Sequence, residues 1–342
     1  MDIAQSQLSL LADLIRNAAV RPAIQVAAVL WIVANAAVLL LAGGFLPFDR
    51  PAVANMPFIQ QVALPTFGLI EIFVLMAVVY LLTGRRVIPD IAARAPGRAR
   101  AASETAFLLG YAAFGQLGGW LLGPALGYRP FSFHIAGTVF GCGVPPSVGE
   151  LWTWATYNFA VFAVVPYLWF RRRYSATQLN LRSTDRMNDL LVVVVVMVIE
   201  SLVELSAFPG IFQLSTREIL TAAPLAFGVF MIGTVLPTMV LIYAILVPRY
   251  LKLTGSSATT VLLGGVTYAA MHIVEGWSLF TTPRDIALSL IFVVLQYFGP
   301  GMMKTVITLR TGNAWDHAIA YHAIPPHVVV DTPLVVKVFG LR

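Results

Sequence analysis

The chain of 342 residues is 58% hydrophobic and 11% charged, with a mean hydropathy of +0.82. A soluble domain carries roughly 25% charged residues, so a water-facing globule is excluded. The net charge of +6 then bears on membrane orientation, because no basic stripe interleaved with aromatic rings marks a nucleic-acid site.

Long unbroken apolar runs suit helices and not barrel strands. The expected fold class is all-α: a polytopic membrane helical bundle of about eight or nine transmembrane segments, at roughly 20 apolar residues per span. Leu8, Leu11, Leu14 and Ile15 recur at helical spacing, and with Arg16 and Arg21 they predict an amphipathic helix on the membrane face. Asp2, Gln5 and Gln7 do not suit a signal peptide. Apolar segments follow at Ala23–Leu46, Ile59–Leu82, Glu104–Leu126, Leu151–Phe170, Leu190–Phe208, Ala222–Val247, Thr259–Ile273, Ile286–Met303 and Ala314–Val330. The seventh and ninth are short enough to be half-spans. Gly115, Gly118, Gly119 and Gly123 predict close helix contact in the third. Gly137–Gly149 reads as an ordered turn region. The lone Cys142 excludes an internal disulfide and a CxxC site.

The loops set orientation. Arg85, Arg86, Arg94, Arg98 and Arg100 follow the second segment, Arg171, Arg172 and Arg173 the fourth, Arg249 and Lys252 the sixth, and Lys304 and Arg310 the eighth. Every even-numbered exit is basic, which places these loops and the N-terminus in the cytoplasm, in a bacterial-type plasma membrane. The polar insert Arg171–Asp189 reads as a seam between an N-terminal block, residues 1–170, and a C-terminal core, residues 171–342.

Ionisable groups at membrane depth are costly and usually line a functional cavity. His272, Glu275, Asp316, His317, His322, His327 and Asp331 lie close together, and hold four of the five histidines. Tyr268 and His272, four apart, share a helical face, and Glu275 falls three positions later. Gly312 and Asn313 read as a turn and helix entrance, His317 and His322 fall on different faces, and Pro325-Pro326 ends that helix. His327 and Asp331 have the spacing of an imidazole–carboxylate pair. Glu200 and Glu204 share one face of the fifth segment and need a proton, a cation or a water pocket. Glu71, alone in the second, is expected to hydrogen-bond a neighbouring helix. The plainer readings are a buried, hydrogen-bonded structural pair for His272–Glu275 and for Glu200–Glu204, and a solvated interface pair for His327–Asp331.

From Tyr167 to Asp331 the chain resembles the CAAX-protease and bacteriocin-processing (CPBP, or Abi) intramembrane peptidases. Residues Arg171 to Arg182 are similar to that family's basic loop and LGLR-like segment. Tyr268-x-x-x-His272 resembles its FxxxH motif, and Thr311-Gly312-Asn313-Ala314-Trp315 leading to His322 resembles the approach to its last HxxxN/D motif. The resemblance implies an eight-helix core in which a glutamate pair of an EExxxR motif activates water, the FxxxH histidine assists, and the last histidine stabilises the oxyanion. It assigns His272 to the second motif and His322, or His327 with Asp331, to the third. The first motif has no counterpart, since Val235–Ile245 holds neither acid nor arginine.

Three functions follow as expectations. One is a divergent peptidase that hydrolyses peptide bonds of membrane-associated substrates, with His272, Glu275, His322, His327 and Asp331 at the site and Glu275, Glu200 or Glu204 replacing the missing acid. Another is an inactive pseudo-peptidase that binds membrane lipid, a peptide or a partner protein. The last is a transporter or metal-handling protein, with a divalent metal as the candidate cofactor.

Overall fold

The computed structural model describes residues 16, 20–48, 50, 53–133, 144–275 and 277–341. Among these there are helices and no strands. In chain order they are α1 (Pro22–Ala42), α2 (Phe58–Leu82), α3 (Arg98–Ala125), α4 (148–171), α5 (Arg186–Ala207), α6 (Thr216–Thr254), α7 (Ser257–Ala270), α8 (Pro283–Thr311), α9 (314–330) and α10 (Thr332–Phe339). Among the described residues six helices are long and apolar enough to cross a membrane: α1, α2, α3, α5, α6 and α8. Their outward faces stay apolar where they leave the core, as with Leu40, Phe67, Phe114 and Leu202. Apolar faces left exposed on long helices make this an integral, multi-pass membrane protein. The predicted amphipathic segment Leu8–Ile15 lies outside the described residues, as does most of Gly137–Gly149 with Cys142.

Local chemistry sets the boundaries. Ser147 and Ser215 form capping boxes with Glu150 and Glu218 at the starts of α4 and α6. Thr282 caps α8 and Asn313 caps α9. Gly312, at φ 68°, ends α8 in the left-handed conformation that glycine adopts without cost, so the chain reverses at once into α9.

The sixth helix is the axis of the bundle. Of its apolar window 83% is buried, against 6% for α1 and 17% for α5. It is not a regular α-helix: residues Met231–Val235 and Met239–Leu246 form wide π turns around Pro237. Helix α9 is π-helical over Ala318–Val330. The predicted helix stop at Pro325-Pro326 is therefore wrong. A π turn bonds residue i to i+5, as Asp331 N–H does to Pro326 O, and this wider winding accommodates rings that would clash in an α-helix. Glycines bring backbones close. A Cβ on Gly115 of α3 would lie 2.7 Å from the Phe162 ring of α4, and one on Gly301 of α8 would lie 2.5 Å from Tyr268 Cβ of α7.

One end of the bundle is closed by a polar network. Arg86 pairs with Asp189 and bonds Thr311 O at 2.6 Å, and Arg94 donates to Asn180 Oδ1 and Gly312 O, both at 2.6 Å. Arg310 donates to Thr83 Oγ1 at 2.8 Å. Arg249 holds Glu104 with two donors, at 2.9 and 2.7 Å, and lies over the Phe170 and Tyr174 rings. The basic residues that the sequence assigns to loops as topology signals are thus partly structural. Arg249 lies inside α6, and Lys304 lies inside α8 at 1% exposure, because buried Thr305 to Thr308 continue that helix past the predicted end at Met303.

Candidate functional site

Helices α2, α5, α7, α8 and α9 enclose a cavity of about 370 Å³. Helix α2 contributes Glu71 from near its middle, and α5 contributes Glu200 and Glu204. Tyr268 comes from the last turn of α7, with His272 and Glu275 from the turn beyond it. Helix α8 supplies Gln296, Tyr297 and Lys304, and α9 supplies Tyr321, His322, Pro326 and His327, with Asp331 just past its end. Of the residues the sequence singles out, His272, Glu275, His322, His327, Asp331, Glu200, Glu204 and Glu71 line this one cavity. It draws on both the N-terminal block, through α2, and the C-terminal core.

The geometry differs from the sequence reading in detail. Helix α7 ends at Ala270, so Glu275 does not follow His272 on a helical face. His272 Nδ1 donates back to Tyr268 O at 2.7 Å, and its ring stacks on Tyr297 at 4.0 Å. The expected His327–Asp331 pair forms at 2.8 Å, with both residues buried and the imidazole stacked on Phe230 at 4.4 Å. Asp316 and His317 do not line the cavity. Asp316 accepts from Asn313 Nδ2 at 2.8 Å, within the polar network. His317 lies under Tyr243 at 4.0 Å, with Nδ1 on Thr308.

His322 has its tautomer fixed by its neighbours. The Thr238 hydroxyl donates to Thr234 O at 2.5 Å, so toward His322 it accepts, and Nδ1 is the N–H. Nε2 then accepts from the Tyr268 hydroxyl. Both contacts are 3.3 Å.

Across the cavity lies a second set of groups, of which the sequence misplaces Lys304. The Glu71 and Glu200 carboxyls stand within hydrogen-bond reach of each other, while Glu71 Oε1 and Glu200 Oε2 are buried and receive no donor from a described residue. Glu204 is within electrostatic reach of Glu71 and Asp331. The Lys304 ammonium sits 3.7 Å over the Tyr268 ring and 5.8 Å from that of Tyr321. It interacts with Glu200 through space, but makes no hydrogen bond or ion pair among the described residues. No sequence signal separates Lys304 from a loop lysine, because the apolar run ahead of it is already long enough to end.

Behind Tyr297, outside the cavity lining, lie Trp277, within hydrogen-bond reach of it, and Arg50. The Arg50 guanidinium lies 4.7 Å over Phe292 and 5.8 Å from Trp277, and burial pulls its pKa down to about 10. Among the described residues no three His, Cys, Asp or Glu side chains converge as a metal-binding set.

No protein-family model matches the chain, and neither the curated proteins nor the solved structures give a match.

Proposed function

We propose that this chain is a membrane protein of about eight or nine crossings, with its N-terminus in the cytoplasm of a bacterial-type plasma membrane. Its C-terminal half is a core of CPBP peptidase type. It binds an amphiphilic ligand in the mid-membrane cavity and does not cleave peptide bonds by that family's route. The observation that carries this reading is His322, whose two ring nitrogens are engaged by the hydroxyls of Thr238 and Tyr268. Hydrolysis by that route needs a tunable base next to a water at this point, and a threonine hydroxyl is no such base. A chamber lined by ionisable groups from five helices is costly to keep within a membrane unless it holds a polar ligand.

A second reading, peptide hydrolysis by a different base, is favoured by one contact. Asp331 accepts the Nδ1 proton of His327, which orients the ring and leaves Nε2 as the basic nitrogen. One experiment separates the two. Protein in liposomes is incubated with membrane-anchored peptides, and fragments are read by mass spectrometry. We expect none above background. Reproducible cleavage that is lost in both Glu275→Gln and His327→Ala would replace the binding reading with the hydrolytic one.

A further inference from the structure

The cavity holds two charged poles that face each other without bonding. At one, Glu71 and Glu200 meet, and among the described residues none donates to Glu71 Oε1 or Glu200 Oε2. Two carboxyls in contact require a proton or an outside donor. At the other, Lys304 is 1% exposed and among the described residues finds only the Tyr268 and Tyr321 rings. An ammonium has three donors, and burying it without an acceptor is costly. Lys304 and Glu200 do not neutralise each other by contact, since no ion pair forms between them. A small cation would serve the first pole and leave the second unserved, and a simple anion would do the reverse. A group carrying both signs serves both.

The margin of the cavity shows how such a group arrives. Leu64, Phe67 and Gly68 of α2, Val203 of α5 and Phe208 just past its end line it on the outward side. Phe67 is 65% exposed, and a Cβ at Gly68 would meet nothing within 4 Å. This margin is apolar and faces the lipid. It suits an acyl chain and would repel a free, water-soluble zwitterion.

We propose that the cavity binds the zwitterionic headgroup of an aminophospholipid that enters between α2 and α5, with its ammonium bridging Glu71 and Glu200 and its phosphate oxygen accepting from Lys304. The inference rests on the binding reading and names its ligand. Charge-assisted hydrogen bonds at both ends make recognition depend on both charges.

The test offers the purified full-length protein four probes and reads retained ligand by native mass spectrometry. The probes are dioleoyl-phosphatidylethanolamine, its N-acetyl derivative, dioleoyl-phosphatidylglycerol and soluble phosphoethanolamine. We expect the first to be retained roughly tenfold or more over each of the others. Glu200→Gln and Lys304→Met should each remove that preference. Equal retention of the three lipids overturns the proposal. If soluble phosphoethanolamine matches the intact lipid, the headgroup chemistry stands and lipid entry is overturned. The lipid comparison uses the native chain, so a misfolded variant cannot imitate its result. Peptide cleavage is a separate readout, so failure of the binding reading is distinguishable from failure of the ligand assignment.

Discussion

The molecule has two polar clusters built from similar side chains, and they end in opposite states. In the network closing one end, each major charge has a bonded partner: Arg86 with Asp189, Arg249 with Glu104, Arg94 with Asn180 and the Gly312 carbonyl. In the cavity, Lys304 and the Glu71–Glu200 pair share a space without touching. Both clusters are buried, so burial does not tell structure from function here. What differs is whether the protein supplies the partner. Where it does, the cluster ties loops to helices. Where it does not, the partner comes from outside.

This contrast can be broken by mutation. The largest effect is expected in the network. Arg249→Ala takes two of the donors from half-buried Glu104, leaving Arg100 and Tyr174, and removes the guanidinium packed on Phe170 and Tyr174. It should cost about 2–3 kcal/mol, read as loss of folded protein on denaturant or detergent titration. A smaller loss is expected where α7 meets α8. Gly301→Ala places a Cβ 2.5 Å from that of Tyr268 and should cost about 1–3 kcal/mol through overpacking, with ligand retention falling in step because Tyr268 moves. Lys304→Met should cost nothing measurable or should stabilise the protein, since it removes a buried charge with no bonded partner. If it destabilises the fold as much as Arg249→Ala does, the two clusters are alike and the distinction fails.

The smallest effect is on pH dependence. A proton and a ligand ammonium compete for Glu71 and Glu200, in surroundings set by Glu204 on α5, Lys304 on α8, and Tyr321 and Asp331 at α9. Retention of phosphatidylethanolamine should therefore weaken as pH falls, by no more than about tenfold per pH unit for one competing proton. Retention that strengthens on acidification would place the ammonium elsewhere.

The sequence was informative about which residues meet and poor about how they meet. The apolar runs fall on the helices found. Of the late cluster, His272, Glu275, His322, His327 and Asp331 line one cavity together with Glu200 and Glu204, while Asp316 and His317 fall outside it. The errors have local causes. Lys304 reads as a loop charge because an apolar run of spanning length precedes it, and length alone cannot place a helix end. Arg249 reads the same way, since its partner Glu104 is 145 residues distant. Pro325-Pro326 suggested a stop because the rule for proline assumes α-helical winding, whereas α9 winds more widely. The partner of Glu71 could not be read at all, because α2 and α5 are brought together only by the tertiary fold.

The most direct measurement is an experimental structure, by electron cryomicroscopy, of the protein extracted with its native lipids, examined between Lys304 and Glu71–Glu200. The account predicts headgroup density bridging the two poles, continuous with acyl density leaving between α2 and α5. Lys304 collapsed onto Glu200 in a direct ion pair, with no lipid at that position, would contradict it.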